Sequence, residues 1–193
     1  EHGVFHSSVA DFAAGAKIEE VEKEVRAQIE RAKQLGIEFT HFDGHMGAML
    51  ANDEIAELYF RLGNEYGMPV RLHRHFDEEL GSPEAKAAAQ AMAGKLDGVF
   101  GAPPQSFPDG MEAYYDDVLR NLEPGLNILV VHLGFDDPEM QAITVNHPLW
   151  GSKWRQIDYD WTMSDNTKKI IEEEGIILVD WGLVKEKLFD PQD

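Results

Sequence analysis

Cysteine is absent from all 193 residues, which excludes disulfides and thiolate metal sites. Any metal must then be held by His, Asp or Glu, a donor set suited to zinc, magnesium, manganese or a similar divalent ion. Cations are scarce too: 17 Lys and Arg stand against 36 Asp and Glu, for a formal charge of −19. Phosphate backbones are bound by clustered cations, so nucleic acid is not an expected partner. The balance favours a soluble, cytoplasmic protein with a neutral, cationic or metal-assisted partner. No apolar run approaches the ~20 residues that span a bilayer, so no membrane partner is expected. Glu1-His2-Gly3-Val4-Phe5-His6 lacks both an initiator Met and the basic-then-apolar plan of a signal peptide, which points to a native N-terminus processed, trimmed or left out. Also missing are a Gly-rich phosphate loop, a Gly-x-Ser-x-Gly elbow, internal repeats and low-complexity linkers.

What is present fits a single domain over residues 1–193, and 43% apolar content is too high for a disordered chain. Ile18, Val21, Val25, Ile29 and Ala32 recur at helical spacing and predict a helix over 17–35, ended by Gly36. A strand-like run follows at 37–45, stopping at a Gly-rich turn. A helix over about 52–65 leads to a short strand at 70–72. Ser82-Pro83-Glu84 opens a helix over 82–95, with a capping residue before a first-position proline. A strand at 97–100, a Pro-rich loop and a helix over 109–122 precede the apolar run Leu126 to His132, the clearest buried strand. A loop over 133–163, a helix at about 164–174, a strand at 176–181 and a short tail helix complete the chain. Such alternation is the signature of a parallel α/β architecture. Four or five strands are too few to close a (β/α) barrel, so an open sheet or an incomplete barrel is expected.

Three segments could carry chemistry. Residues two apart on a strand share a face, so His41, Asp43 and His45 are expected to point one way at a strand's C-terminal end, where parallel α/β proteins place their sites. They could supply ligands and supporting groups for a divalent metal, or simply form a hydrogen-bonded polar strand end. His132 ends its strand at the same rim and could act as a general acid near neutral pH, or pack against backbone carbonyls. Trp150 and Trp154, with Arg155 and Asp158, suit sugar binding: ring faces stack on aromatics while hydroxyls need charged partners. The alternative is a lid packed by its own tryptophans. His73 and His75 are weaker candidates on a loop, and Asp136-Asp137 reads as a solvated turn that caps the next segment.

Taken in order, several stretches resemble the YdjC-like carbohydrate deacetylases. Glu24-Val25-Arg26-Ala27-Gln28-Ile29-Glu30-Arg31 leads into Thr40-His41-Phe42-Asp43-Gly44-His45, followed by Glu65-Tyr66-Gly67-Met68-Pro69-Val70-Arg71. His132-Leu133-Gly134 stands where the family has His-Pro-Gly, and Trp154 to Asp158 and Gly175 to Trp181 match its closing elements. The resemblance implies a parallel (β/α)-barrel-like fold, incomplete at the N-terminus in this chain. It further implies a divalent ion, magnesium or zinc, held by one Asp and two His, and removal of acetyl groups from N-acetylated sugars such as chitooligosaccharides. Carried over by position, His45 is a metal ligand, His41 and Asp43 flank and support it, and His132 is the general acid for the departing amine. The family's early Asp-Asp pair and Gly-Leu-His element have no counterpart here. The chain is therefore expected to be the larger, C-terminal two-thirds of such an enzyme, impaired by itself. Met46-Gly47-Ala48-Met49 replaces further histidines of some members, which leaves sugar preference open.

Two other readings stand beside this one: a different metal hydrolase built on His41, Asp43, His45 and His132 alone, and a non-catalytic carbohydrate-binding or regulatory module. A small carbohydrate is the expected ligand in the enzyme and binding-module readings. The sheet edges of an incomplete barrel leave room for a homodimer.

Overall fold

The computed structural model describes residues 6–147 and 149–189, which form two compact units. One holds the residues up to Lys95 together with those from Val179 onward, and the other runs from Leu96 to Leu178.

The first unit opens with α1 (Val9–Gly15), capped by the Ser8 hydroxyl, and α2 (Ile18–Gln34). Glu19 and Glu20 in the first turn of α2, and Arg31 and Lys33 in the last, suit the helix dipole. The predicted apolar stripe is inward: Val21 packs with Leu58 and Leu62 of α3 (Asp53–Tyr66). Asn52 caps α3 by accepting the Ile55 N–H at 3.0 Å, and Gly67 ends it at φ 62°, a left-handed conformation that favours glycine. The opposite side of α3 contributes Ala56, Tyr59 and Phe60 to a second core with Val70, Leu72 and residues of α4 (Pro83–Ala91). α4 begins as the sequence predicts, with Ser82 as cap and Pro83 in the first turn. The Asp53 carboxylate accepts the Gly81 and Ser82 N–H groups and so ties the starts of α3 and α4 together.

The strands expected at 37–45 and 70–72 reduce to one parallel bridge between Phe42 and Val70. Phe42 N–H donates to the Pro69 carbonyl at 2.9 Å, and Arg71 N–H donates to the Phe42 carbonyl at 3.0 Å. That carbonyl also receives the Tyr59 hydroxyl at 2.5 Å. Two short segments without a third strand are marginal as a ladder, and here only the bridge forms.

In the second unit β1 (Gly98–Gly101) pairs in parallel with β2 (Asn127–Val130), from Gly98 opposite Asn127 to Gly101 opposite Val130, with α5 (Met111–Arg120) as the crossover. The fold is thus mixed α/β with parallel pairing, although β2, expected to be buried, is only half-buried in its two-stranded sheet. The loop predicted over 133–163 is instead partly helical, containing α6 (Pro138–Ile143) and α7 (Ser152–Met163). Asp137 caps α6, as its place before Pro138 suggests. α7 escapes an apolar-period search because its buried positions are Trp154, Asp158 and Trp161, one of them an acid. With Met111, Tyr115 and Leu119 of α5 and Ile170 of α8 (Asp165–Glu173), the two tryptophans form this unit's core. The strand predicted at 176–181 is not one: no ladder forms there among the described residues, and Ile177 and Leu178 are 83% and 76% exposed. α9 (Trp181–Val184), capped by Asp180, returns to the first unit. Among the described residues no helix is long and apolar enough to cross a membrane.

Candidate active site

In the second unit a cavity of about 300 Å³ opens beside the C-terminal end of the parallel pair. Gly101, Ala102 and Val130 form its strand side, Tyr115 comes from α5, and Trp150, Trp154 and His132 complete its wall. His132 stands two residues past β2. Its backbone N–H donates to Asp158 Oδ2 at 2.7 Å, and its Nδ1 lies 4.0 Å from the same oxygen. The His132 side chain is 39% exposed, while Asp158 is 0% exposed. The other carboxylate oxygen, Oδ1, accepts the Tyr115 hydroxyl at 2.5 Å. Burial, and then the hydrogen bond to Asp158, push the Tyr115 hydroxyl well above its ordinary range, so it stays protonated and donates.

The aromatic wall is built in two tiers. Trp154 is buried, with Phe107 stacked on it at 5.3 Å between ring centres. Trp150 is 43% exposed and lies 5.4 Å from Trp154, tilted by 38°. Its backbone sits at φ 57°, an uncommon conformation for a bulky residue, and Arg155 Nε donates to its carbonyl at 3.0 Å. Of the four residues that the sequence suggests for sugar contact, Trp150 and Trp154 therefore line the cavity. Arg155 braces the Trp150 backbone, and Asp158 is enclosed behind His132. Tyr115 was not legible as a site residue: one turn after Met111 on an amphipathic helix, it reads as core.

In the first unit the histidine motif is dispersed among separate partners. The His41 ring stacks on Trp181 at 4.4 Å and 9°, with Thr40 Oγ1 at 3.2 Å from its Nδ1. Burial lowers its pKa, opposed by the Asp43 charge. Asp43 accepts from Arg71 Nε at 2.7 Å. His45 is exposed at the start of a 3₁₀ turn, His45–Leu50, in which Met46 and Gly47 have positive φ. The turn begins after Gly44, so the strand alternation expected to aim His45 with its neighbours stops before it. His73 and His75 lie 5.7 Å apart in a local turn, with Glu78 3.3 Å from His75. Among the described residues no three His, Asp or Glu side chains gather into a metal cage. Catalytic zinc sites use three protein ligands. His45 by itself does not make a complete site.

A family model for YdjC-like proteins matches residues 1–173. The chain is 32% identical over 198 residues to a carbohydrate deacetylase of Thermus thermophilus, covering 98% of this chain and 69% of the relative. It is 20% identical over 194 residues to a carbohydrate deacetylase of Thermoanaerobacter pseudethanolicus, covering 96% and 68%. The crystal structure of a candidate cellobiose-phosphate cleavage protein from Enterococcus faecalis V583 superposes with a TM-score of 0.72 at 20% identity, over 95% of this chain and 67% of that one, a likeness of fold.

Proposed function

The chain belongs to the YdjC-like family, and from that membership we propose that it acts as a carbohydrate deacetylase, hydrolysing the acetyl amide of an N-acetylated sugar of the chitooligosaccharide type. One observation carries the reading furthest. A half-exposed imidazole, His132, lines an aromatic-walled cavity and is backed by a buried carboxylate. Sugar rings present apolar faces to aromatics, which suits Trp150 and Trp154. An imidazole in its protonated form can give a proton to a departing amine.

In that reaction water adds to the acetyl carbonyl carbon and gives up its two protons, and the C–N bond breaks as the amine nitrogen takes a proton from the His132 imidazolium. Acetate leaves, one of the water's protons restores the imidazolium, and the other passes to solvent. A divalent ion, magnesium or zinc, is part of the proposal, with His45 as this chain's ligand and His41 and Asp43 beside it in sequence. Such an ion, if bound, would polarise the carbonyl and lower the pKa of water. The (β/α)-barrel-like arrangement belongs to the same proposal.

Acetate release from N-acetylated chitooligosaccharides, with added magnesium or zinc, is the direct test. His132→Gln is expected to lower kcat about 10²-fold or more, the usual contribution of a general acid. Trp150→Ala is expected mainly to raise KM. Turnover by His132→Gln equal to that of the wild type would overturn the assignment. A second reading, sugar binding without catalysis, draws on the cavity lying entirely within the second unit. It predicts tryptophan fluorescence quenching by the sugar that EDTA leaves unchanged, with no acetate formed.

A further inference from the structure

Asp158 is an unusual residue to find where it is. Burying a carboxylate costs far more than burying an apolar side chain, and a Leu or Met at this position of α7 would continue the face made by Trp154 and Trp161. Only Thr167 joins it among the fully buried polar residues described. Its two oxygens divide their work. Oδ1 takes the Tyr115 hydroxyl, from a ring itself fixed against Trp161 at 4.7 Å. Oδ2 takes the backbone N–H of His132 and stands 4.0 Å from its imidazole Nδ1. One carboxylate thus fixes where the His132 backbone sits and places a negative charge beside the ring.

We infer that Tyr115 and Asp158 are a positioning pair for His132: Tyr115 fixes the Asp158 carboxylate, and Asp158 anchors His132 and favours its protonated imidazole. Asp158 is enclosed and acts through the histidine, and Tyr115 acts through Asp158. A negative charge close to an imidazole stabilises the imidazolium, the form that can donate a proton. Backbone anchoring matters because His132 lies two residues beyond the end of β2, and the Asp158 bond fixes its backbone there. The inference rests on His132 as the proton donor, but its physical content can be read without turnover.

The test is a titration of the His132 imidazole by ¹⁵N NMR on the whole chain, assigned by the signal that His132→Gln removes. Asp158→Asn is expected to lower the His132 pKa by about one unit, because a stabilising charge is lost. Tyr115→Phe, which leaves the carboxylate in place but loosens it, is expected to shift it less and to broaden the resonance. The other histidines should titrate as before. Thermal melts establish that each variant is folded, and if Asp158→Asn is not, Tyr115→Phe decides. A His132 titration unmoved in the folded variants would overturn the inference. In acetate release, each variant is expected to lose about ten- to a hundredfold in kcat with KM little changed, and Asp158→Asn to lose nothing further in a His132→Gln background. Full activity of His132→Gln would sink the proton-donor reading while leaving the NMR result to judge the pair.

Discussion

Gly63 shows how a single methyl group can set the limits of the first unit. It lies in α3, where alanine is normally favoured over glycine by up to ~1 kcal/mol. A Cβ there would come within 2.7 Å of Val70 Cγ1 and 3.0 Å of the Met68 carbonyl. Overpacking of that kind costs about 1–3 kcal/mol, more than the propensity gained. Gly63→Ala is therefore expected to lower unfolding stability by roughly 1–2 kcal/mol in a urea titration; a stabilised variant would show that α3 and Val70 are not in close packing. At the same scale, His132 and Trp150, which both line the cavity, were legible as candidates because a polar group at a strand tip and a tryptophan in a polar loop both stand out. Tyr115 did not stand out, since an aromatic residue on a helix's apolar face is what a core requires. Asp158 stood out as a candidate but not as buried: only the helical spacing from Trp154 to Trp161 turns it inward.

Between elements, α2 and α3 are joined by charge as well as by Val21, Leu58 and Leu62. Glu22 accepts from Arg26 one turn on and from Arg61 across the interface, and Arg26 also grips Glu65 at 2.6 Å. The hydrogen bonds from Arg61, and then from Arg26, hold the Glu22 carboxyl down at about 2 against an ordinary 4.5. A lowered carboxyl pKa contributes stability that is present above 4.5 and is lost as the pH falls toward 2. Melting temperatures followed from pH 5 to pH 2 are expected to fall less steeply for Glu22→Gln than for the wild type; parallel curves would mean that the network does not hold the helices. The helices α2, α3, α4, α5 and α8 could be placed from the sequence, α2 by its apolar period and α4 by its cap and first-turn proline. α7 could not, since its inward face mixes bulk and charge. The segment 176–181 misled for the opposite reason: an apolar run encodes willingness to be a strand, whereas a ladder also needs a partner.

For the molecule as a whole, the parallel character of the fold followed from alternation of elements, while the number of paired strands did not. Pairing depends on long-range register that no single window contains. The charge of −19 adds a property that no contact reveals. Like charges repel in the compact state, and salt screens them over a Debye length of about 10 Å at 0.1 M. Raising sodium chloride from about 10 mM to about 150 mM is expected to raise the melting temperature, screening repulsion more than it weakens local pairs such as Glu22–Arg61. A falling melting temperature would place the balance with the ion pairs instead.

The left-handed backbone at Trp150 restricts how this protein could be adapted. Residues branched at Cβ are disfavoured at such a φ, and Asn or Gly, which tolerate it, would strip away the indole. Next to it, any side chain in place of Gly151 would run into the His147 carbonyl oxygen. Efforts to re-engineer ligand preference should therefore leave this corner alone. Gly101 is the better starting point: on the strand side of the same cavity, an added Cβ would meet nothing nearer than the Val130 carbonyl at 3.6 Å.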